Sequence, residues 1–133
     1  MFEFHSWITI RETYEVRDDE EEGIEKVLQK VRDSIKLLNW NKPEIKARNG
    51  ESYIEFSLFS NRKTEEIVEL LDFFSHIANI AIGSYGIIYM LDDEDQNGKN
   101  NQFQVYSISR GKLHEQTDSF LSPFIPVVED KDF

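Results

Sequence analysis

The sequence predicts an α+β domain in which an antiparallel sheet of about five strands carries two helices on one face. Apolar residues recur with period two in several short segments and with helical period in two longer ones. Asn49-Gly50, a strong hairpin signal, separates two of the short segments. The predicted order is βαββαββ, and its first six elements follow the order of a ferredoxin-like split fold, here with an extra strand.

The first half of the chain supplies three strands and one helix. Residues 2–11 alternate between apolar and polar side chains, as in a half-buried strand. Apolar residues then recur at helical spacing over residues 24–38, with acids before the first turn, and Pro43 prevents the helix from continuing. Residues 43–60 read as two strands joined by a tight turn. The predicted buried face of the second of these strands is Ile54, Phe56 and Leu58.

The second half supplies the second helix and two further strands. Thr64 is placed to cap a helix with a wide apolar stripe over residues 65–82. Residues 84–91 are almost continuously apolar, which favours a central strand, and residues 102–110 form its hairpin partner. The tail, residues 120–133, contains two prolines and is expected to lie extended across the domain.

Length and composition indicate one folded domain spanning residues 1–133. The 39% apolar and 13% aromatic content is enough to fill a core. The chain has no cysteine, which excludes a disulfide framework, a thiolate zinc site and a cysteine nucleophile. Its start lacks the pattern of a signal peptide, and no segment approaches the length of a membrane span, so we expect a cytoplasmic protein.

The formal charge of −11 is concentrated in three segments, residues 15–25, 92–95 and 129–133. Such clusters repel nucleic acid and anionic membranes and attract a basic protein partner, although solvated loops that aid solubility would have the same composition. The candidate partner-binding acids are Asp18, Asp19, Glu20 and Glu21 in an acidic linker of residues 15–23, and Asp92, Asp93, Glu94 and Asp95 in a loop.

No pattern in the sequence indicates a catalytic or metal site. Residues 93–98 match the opening of a calcium loop, but the twelfth position is Gln104, where a glutamate is required, and the flanks read as strands. The three histidines lie on separate predicted elements. No nucleophile elbow or phosphate loop is present, and the acids cluster in loops, whereas a general acid needs a desolvated carboxyl. We therefore expect no catalytic residue, cofactor or metal.

The outward side of the first strand carries a candidate interface. Trp7 falls on the polar register of that strand, beside His5, where a large rigid ring can anchor a protein partner. Tyr53 and Phe59 share the corresponding register of a later strand and would extend the aromatic surface if the strands align. The alternative is that Trp7 packs beneath a loop or the tail.

Several segments in order resemble the bacterial immunity protein 7 family of polymorphic toxin systems. They are FEFHSWITIRETYE, SYGIIYMLDDED, FQVYSISRG and FLSPFIPVVED, and the resemblance covers nearly the whole chain. The motif positions that carry over are Trp7, the acids of residues 92–95, and Arg110-Gly111.

The resemblance implies an immunity protein, without enzymatic activity, that neutralises a cognate toxin domain by tight binding inside the cell. The resemblance also implies that the toxin is a nuclease, since toxin domains of these systems commonly are. Such a toxin would be basic, because nucleases bind phosphate through lysine and arginine. Two alternatives stay open: another acidic interaction module or nucleic-acid mimic acting on a host protein, and an enzyme or small-ligand binder with a pocket. An exposed sheet face also allows a homodimer.

Overall fold

A computed structural model describes residues 1–13, 20–38 and 42–130. In these residues the chain forms an α+β fold with two helices and a six-stranded antiparallel sheet, which confirms the predicted class. The elements are β1 (Phe2–Ile10), α1 (Glu20–Lys36), β2 (Ile45–Arg48), β3 (Glu51–Ser60), α2 (Glu65–Ile80), β4 (Tyr85–Asp92), β5 (Gln104–Ser109) and β6 (Lys112–Thr117).

The strand order is β2-β3-β1-β4-β5-β6, and every neighbouring pair is antiparallel. β3 lies between β1 and β2, the two strands that α1 connects, which is the split arrangement expected of a ferredoxin-like fold. β5 and β6 extend the sheet beyond β4. The prediction of about five strands was therefore one strand short.

The additional strand, β6, begins after a two-residue turn. Arg110 and Gly111 both have positive φ, 51° and 81°, as a type I′ turn requires. Leu113 is the one strongly apolar residue of β6, so no alternation marked this strand, which forms an edge of the sheet. Asn49 and Gly50 make the same kind of turn, with φ of 53° and 78°, which confirms the predicted β2–β3 hairpin.

Both helices cover one face of the sheet. The side chains of β1 at even positions point into this layer, and those of α2 meet them there, as in the stacked pair Phe4 and Phe74 at 6.1 Å between ring centroids. Ser6, the polar member of the even series, donates a hydrogen bond to the carbonyl of Phe56. The largest fully buried side chains are Phe2, Phe4, Ile8, Ile10, Ile54, Ile67, Leu70, Phe74, Ile77, Ile88, Met90 and Leu91.

The tail predicted over residues 120–133 does not lie extended across the domain in its described part, residues 120–130, and residues 131–133 lie outside the described residues. Residues 120–130 form bends and turns, and the chain folds back on itself so that the Ser122 hydroxyl accepts a hydrogen bond from the Val128 amide at 3.0 Å. The reason is that local polar side chains satisfy the backbone here, in place of a neighbouring strand. No helix in the described ranges is long and apolar enough to cross a membrane.

β1 and β4 approach closely at Gly86. A Cβ atom at this position would lie 2.1 Å from the carbonyl oxygen of Trp7 and 2.7 Å from the Cα atom of Ile8. Since both are backbone atoms of the central strand, they cannot rotate away. Glycine is therefore required for β4 to pair with β1 here.

We predict that Gly86→Ala lowers the free energy of unfolding by about 1–3 kcal/mol, because the added methyl group overpacks the sheet. Urea unfolding followed by circular dichroism measures the change. Gly98→Asn is the control, since that glycine has open space around it and asparagine tolerates its φ of 87°. Equal stability of Gly86→Ala and the wild type would contradict the close approach.

Candidate partner-binding surface

The face of the sheet opposite the helices, here called the open face, is built from alternate residues of the central strands. The pairing register aligns its β1 residues with those of β3 and β4. Its residues are Glu3, His5, Trp7 and Thr9 of β1, Phe59, Ser57, Glu55 and Tyr53 of β3, and Leu91, Tyr89, Ile87 and Tyr85 of β4.

His5 lies in a row of aromatic side chains on this face. Its ring centroid is 5.3 Å from that of Phe59 and 6.5 Å from that of Phe103, and Phe103 in turn contacts Tyr89 edge to face at 5.7 Å. The two ring nitrogens of His5 also have polar neighbours, with Nε2 3.2 Å from the Glu3 carboxylate and Nδ1 3.4 Å from the Ser57 hydroxyl. The His5 ring thus contacts aromatic side chains and also has polar partners on Glu3 and Ser57.

Trp7 pairs with Tyr85 at the other end of the open face. The rings meet edge to face with centroids 6.0 Å apart, and the residues are 42% and 45% exposed. Trp7 is therefore available to solvent, in contrast to the alternative in which a loop or the tail buries it. The register also places Tyr53 and Phe59 on the same face as Trp7.

Part of the open face is closed by a second, smaller hydrophobic cluster. Leu91, Phe103 and Val105 are buried there, and Ile87 and Tyr89 pack against them. The sequence predicted that the whole face is open, because the period of two that identifies a strand does not tell which of its sides is covered. The large aromatic residues of this face that stay exposed are consequently Trp7, Tyr85 and Phe59.

The acidic loop at residues 92–95 is held by its own carboxylates. Asp92 accepts a hydrogen bond from the Glu94 amide at 3.0 Å. Asp95 accepts two, from the amides of Asn97 at 3.0 Å and Lys99 at 2.9 Å. These bonds shape the turn, so two of the predicted partner-binding acids also have a structural role.

Asp93 binds the N-terminal ammonium group of Met1 at 2.7 Å, and this hydrogen bond raises the pKa of that group. The contact fixes the loop beside the start of β1. Glu94 is the exposed member of the loop. In the ranges that the structure describes, no cluster of three acidic or histidine side chains is arranged to bind a metal ion.

The acids of the predicted linker divide between two regions. Asp18 and Asp19 lie outside the described residues. Glu20 and Glu21 belong to α1, which begins at Glu20, earlier than the helical apolar pattern indicated.

A cleft with a volume of about 1000 Å³ lies between the end of β1, the start of α1 and the β2–β3 turn. The carboxylates that line it are Glu12, which is half-buried, and the exposed Glu25 and Glu51. A general acid needs a desolvated carboxyl group, and none of these three carboxylates belongs to a buried residue. The cleft thus gives no support to the reading as an enzyme.

The family model described as Immunity protein 7 matches residues 1–130. The chain belongs to the immunity protein 7 family. The resemblance inferred from the sequence is thereby confirmed, and with it the expectation that this immunity protein is not an enzyme, because the family consists of non-enzymatic inhibitors. No curated protein and no solved structure matches the chain significantly.

The three motif positions named for the resemblance lie in different parts of the structure. Trp7 is exposed on the open face. Residues 92–95 form the acidic loop at the far end of β4, and Arg110-Gly111 makes the β5–β6 turn. Of these three positions, Trp7 is the one with a large, substantially exposed apolar side chain.

We predict that Trp7→Ala lowers the free energy of unfolding by only about 1 kcal/mol, because the side chain is half exposed. Ile8→Ala, one residue away on the buried side, should cost about 2–5 kcal/mol. Urea denaturation of both variants measures the difference. An equal loss in the two variants would mean that Trp7 belongs to the core.

Proposed function

We propose that this immunity protein neutralises a cognate toxin in the cytoplasm by direct, tight binding through the open face and the adjacent acidic loop. Its membership of the immunity protein 7 family supports a role in a toxin system. The observation that carries the proposal for the binding surface is the exposed Trp7–Tyr85 pair. Rigid aromatic side chains of this kind supply much of the binding energy in protein interfaces.

The charge of the protein favours a basic partner. Its net charge is −11, and the acidic loop lies at one end of the strands that form the open face. A nuclease toxin fits this charge, since it exposes lysine and arginine for phosphate binding. An acidic inhibitor that occupies or shields these groups blocks the toxin without chemistry of its own. Because leaked toxin is lethal, we expect a dissociation constant of about 1 nM or lower.

Co-expression with the toxin domain encoded beside this chain tests the proposal. We expect the wild-type protein to keep cells alive and to co-purify with the toxin. Trp7→Ala should weaken binding at least about tenfold, chiefly through faster dissociation measured by biolayer interferometry. Val68→Ala, which changes an exposed apolar residue on α2, is the matched control and should bind like the wild type.

Cell death without a complex would overturn the immunity proposal for that toxin. If Trp7→Ala bound the toxin with wild-type affinity, the proposed role of Trp7 would be wrong, but the immunity proposal would stand.

The acidic loop should act mainly on the association rate. Replacing Asp92, Asp93 and Asp95 with Asn and Glu94 with Gln removes the charge but keeps oxygen acceptors for the turn. We expect association at low salt to slow at least about tenfold and to depend less on salt. The control variant neutralises four exposed acids of α2, Glu65, Glu66, Glu69 and Asp72, and so removes the same charge elsewhere.

An equal effect of the two quadruple variants would mean that net charge, and not the acidic loop, attracts the toxin. Wild-type kinetics of the loop variant would contradict a contact between this loop and the toxin.

A second candidate function is another acidic interaction module, including a nucleic-acid mimic that acts on a host protein. The concentration of acids in three short segments favours it. This alternative would be supported if the protein bound host proteins but did not bind the toxin encoded beside it.

Light scattering on the free protein tests whether its exposed sheet face forms a homodimer.

A further inference from the structure

We propose that residues 118–130, here called the C-terminal loop, form a preorganised apolar projection that inserts into an apolar cleft of the cognate toxin, with basic groups at the rim of that cleft. This inference rests on the proposed function and extends it to a second contact region. Asn101 is proposed as the residue that positions the loop.

The C-terminal loop exposes an unusual amount of apolar side chain for its length. Single exposed apolar residues are normal on a protein surface, but contiguous groups mark interaction sites. Two prolines, Pro123 and Pro126, restrict the backbone between the exposed side chains. The large apolar residues and their exposed fractions are Phe120 (74%), Leu121 (50%), Phe124 (64%), Ile125 (57%) and Val127 (51%).

The backbone of this loop is fixed by the side chain of Asn101. Its Oδ1 accepts hydrogen bonds from the amides of Phe124 at 2.8 Å and Ile125 at 2.7 Å. Its Nδ2 donates to the carbonyl of Ile125 at 2.8 Å. One amide side chain from the β4–β5 connection thus holds two consecutive loop residues in place.

Further hydrogen bonds hold the two ends of the loop. Asp118 is 4% exposed, and its carboxylate accepts from the amides of Phe120 and Leu121 at 3.4 and 2.9 Å. The Ser122 amide donates to the Glu129 carboxylate. The loop backbone is therefore held by Asn101 and by polar side chains of the loop itself, while its large apolar side chains are exposed to solvent.

This combination suits a binding element. A loop ordered before binding loses less conformational entropy when it meets its partner, so more of the apolar burial appears as affinity. If the apolar residues served only the fold, they would be buried against it. Their exposure on a backbone held by so many polar contacts indicates that they are presented to another molecule.

Charge identifies the kind of partner. Residues 92–101 and 118–130 together contain seven acids and one base, Lys99. Hydrogen bonds between Asn101 and the loop bring these two segments together. The apolar projection thus has an acidic surround, which repels an anionic membrane and a second copy of the same surface. A partner with an apolar cleft and basic rim fits both properties.

The C-terminal loop begins at the end of the sheet where the acidic loop lies. The register places Asp92, Gln104 and Thr117 at the same end of the sheet, and Phe59 lies at that end of the open face. Asn101 precedes the buried Phe103 of the open face by two residues. A single toxin surface can therefore contact the open face, the acidic loop and the C-terminal loop together.

The test measures binding of full-length variants to the toxin domain encoded beside this chain. We expect Phe124→Ser to raise the dissociation constant at least tenfold, because it removes an exposed apolar side chain from the interface. Val68→Ser is the matched control, since Val68 is 56% exposed on α2, and its affinity should stay within twofold of the wild type. Urea unfolding should give the same midpoint for Phe124→Ser and the wild type.

Asn101→Ala tests the positioning role. It leaves every apolar side chain of the loop in place but removes three hydrogen bonds to its backbone. We expect Asn101→Ala alone to weaken binding at least fivefold. In the double variant with Phe124→Ser, the fold loss of affinity should be smaller than the product of the two single losses, because both changes act on the same contact.

The outcomes separate this inference from the proposed function. Tight binding by the wild type with unchanged affinity of Phe124→Ser would overturn the loop inference and leave the immunity proposal intact. Failure of the wild type to bind would overturn both. Two other results would contradict the proposal. If the wild type were a dimer and Phe124→Ser a monomer by light scattering, the loop would bind a second copy of the chain. If the wild type bound anionic phosphatidylserine vesicles and Phe124→Ser did not, the loop would bind a membrane.

Discussion

The pairing of β1 with both β3 and β4 is the constraint on which the rest of the structure depends. It makes β1 a central strand, and the alternation of a strand sends its even residues into the helical layer and its odd residues onto the open face. A shift of one residue would expose Phe4 and Ile8 and bury Glu3 and Trp7. Gly86 permits this pairing because it leaves room for the backbone of β1.

The same register arranges the surface that we propose for toxin binding. It places Trp7 beside Tyr85 and His5 between Phe59 and Phe103. At the end of β4 it brings the acidic loop to the start of β1, where Asp93 meets Met1. Apolar anchors for affinity and acids for rapid encounter with a basic partner thus lie along one side and one end of a single sheet.

The sequence was sufficient for the elements whose apolar period was strong. Alternation identified β1, helical spacing identified α2, and Asn49-Gly50 identified the β2–β3 turn. β6 was missed because a polar edge strand has no such period, although Arg110-Gly111 could have served as a turn signal. The burial of Phe103 on the outer side of the sheet depends on contacts between distant segments, which local periodicity does not contain.

The candidate site was predictable to a similar extent. The odd register of β1 was enough to place Trp7 and His5 on one face. The structural roles of Asp92 and Asp95 became visible only with the turn geometry, since their partners are backbone amides. The binding of the C-terminal loop by Asn101 joins residues more than twenty positions apart through side-chain hydrogen bonds and left no pattern in the sequence.

Exposure of Trp7 in the free protein and its burial in the complex is the central claim. Acrylamide quenching of tryptophan fluorescence tests it directly in a Trp40→Phe variant, where Trp7 is the remaining tryptophan of this chain. The toxin domain used should have its own tryptophans replaced. We predict ready quenching of the free protein and a several-fold smaller quenching constant once the toxin is bound. Equal quenching in the free and bound states, in a complex shown to form, would contradict the account.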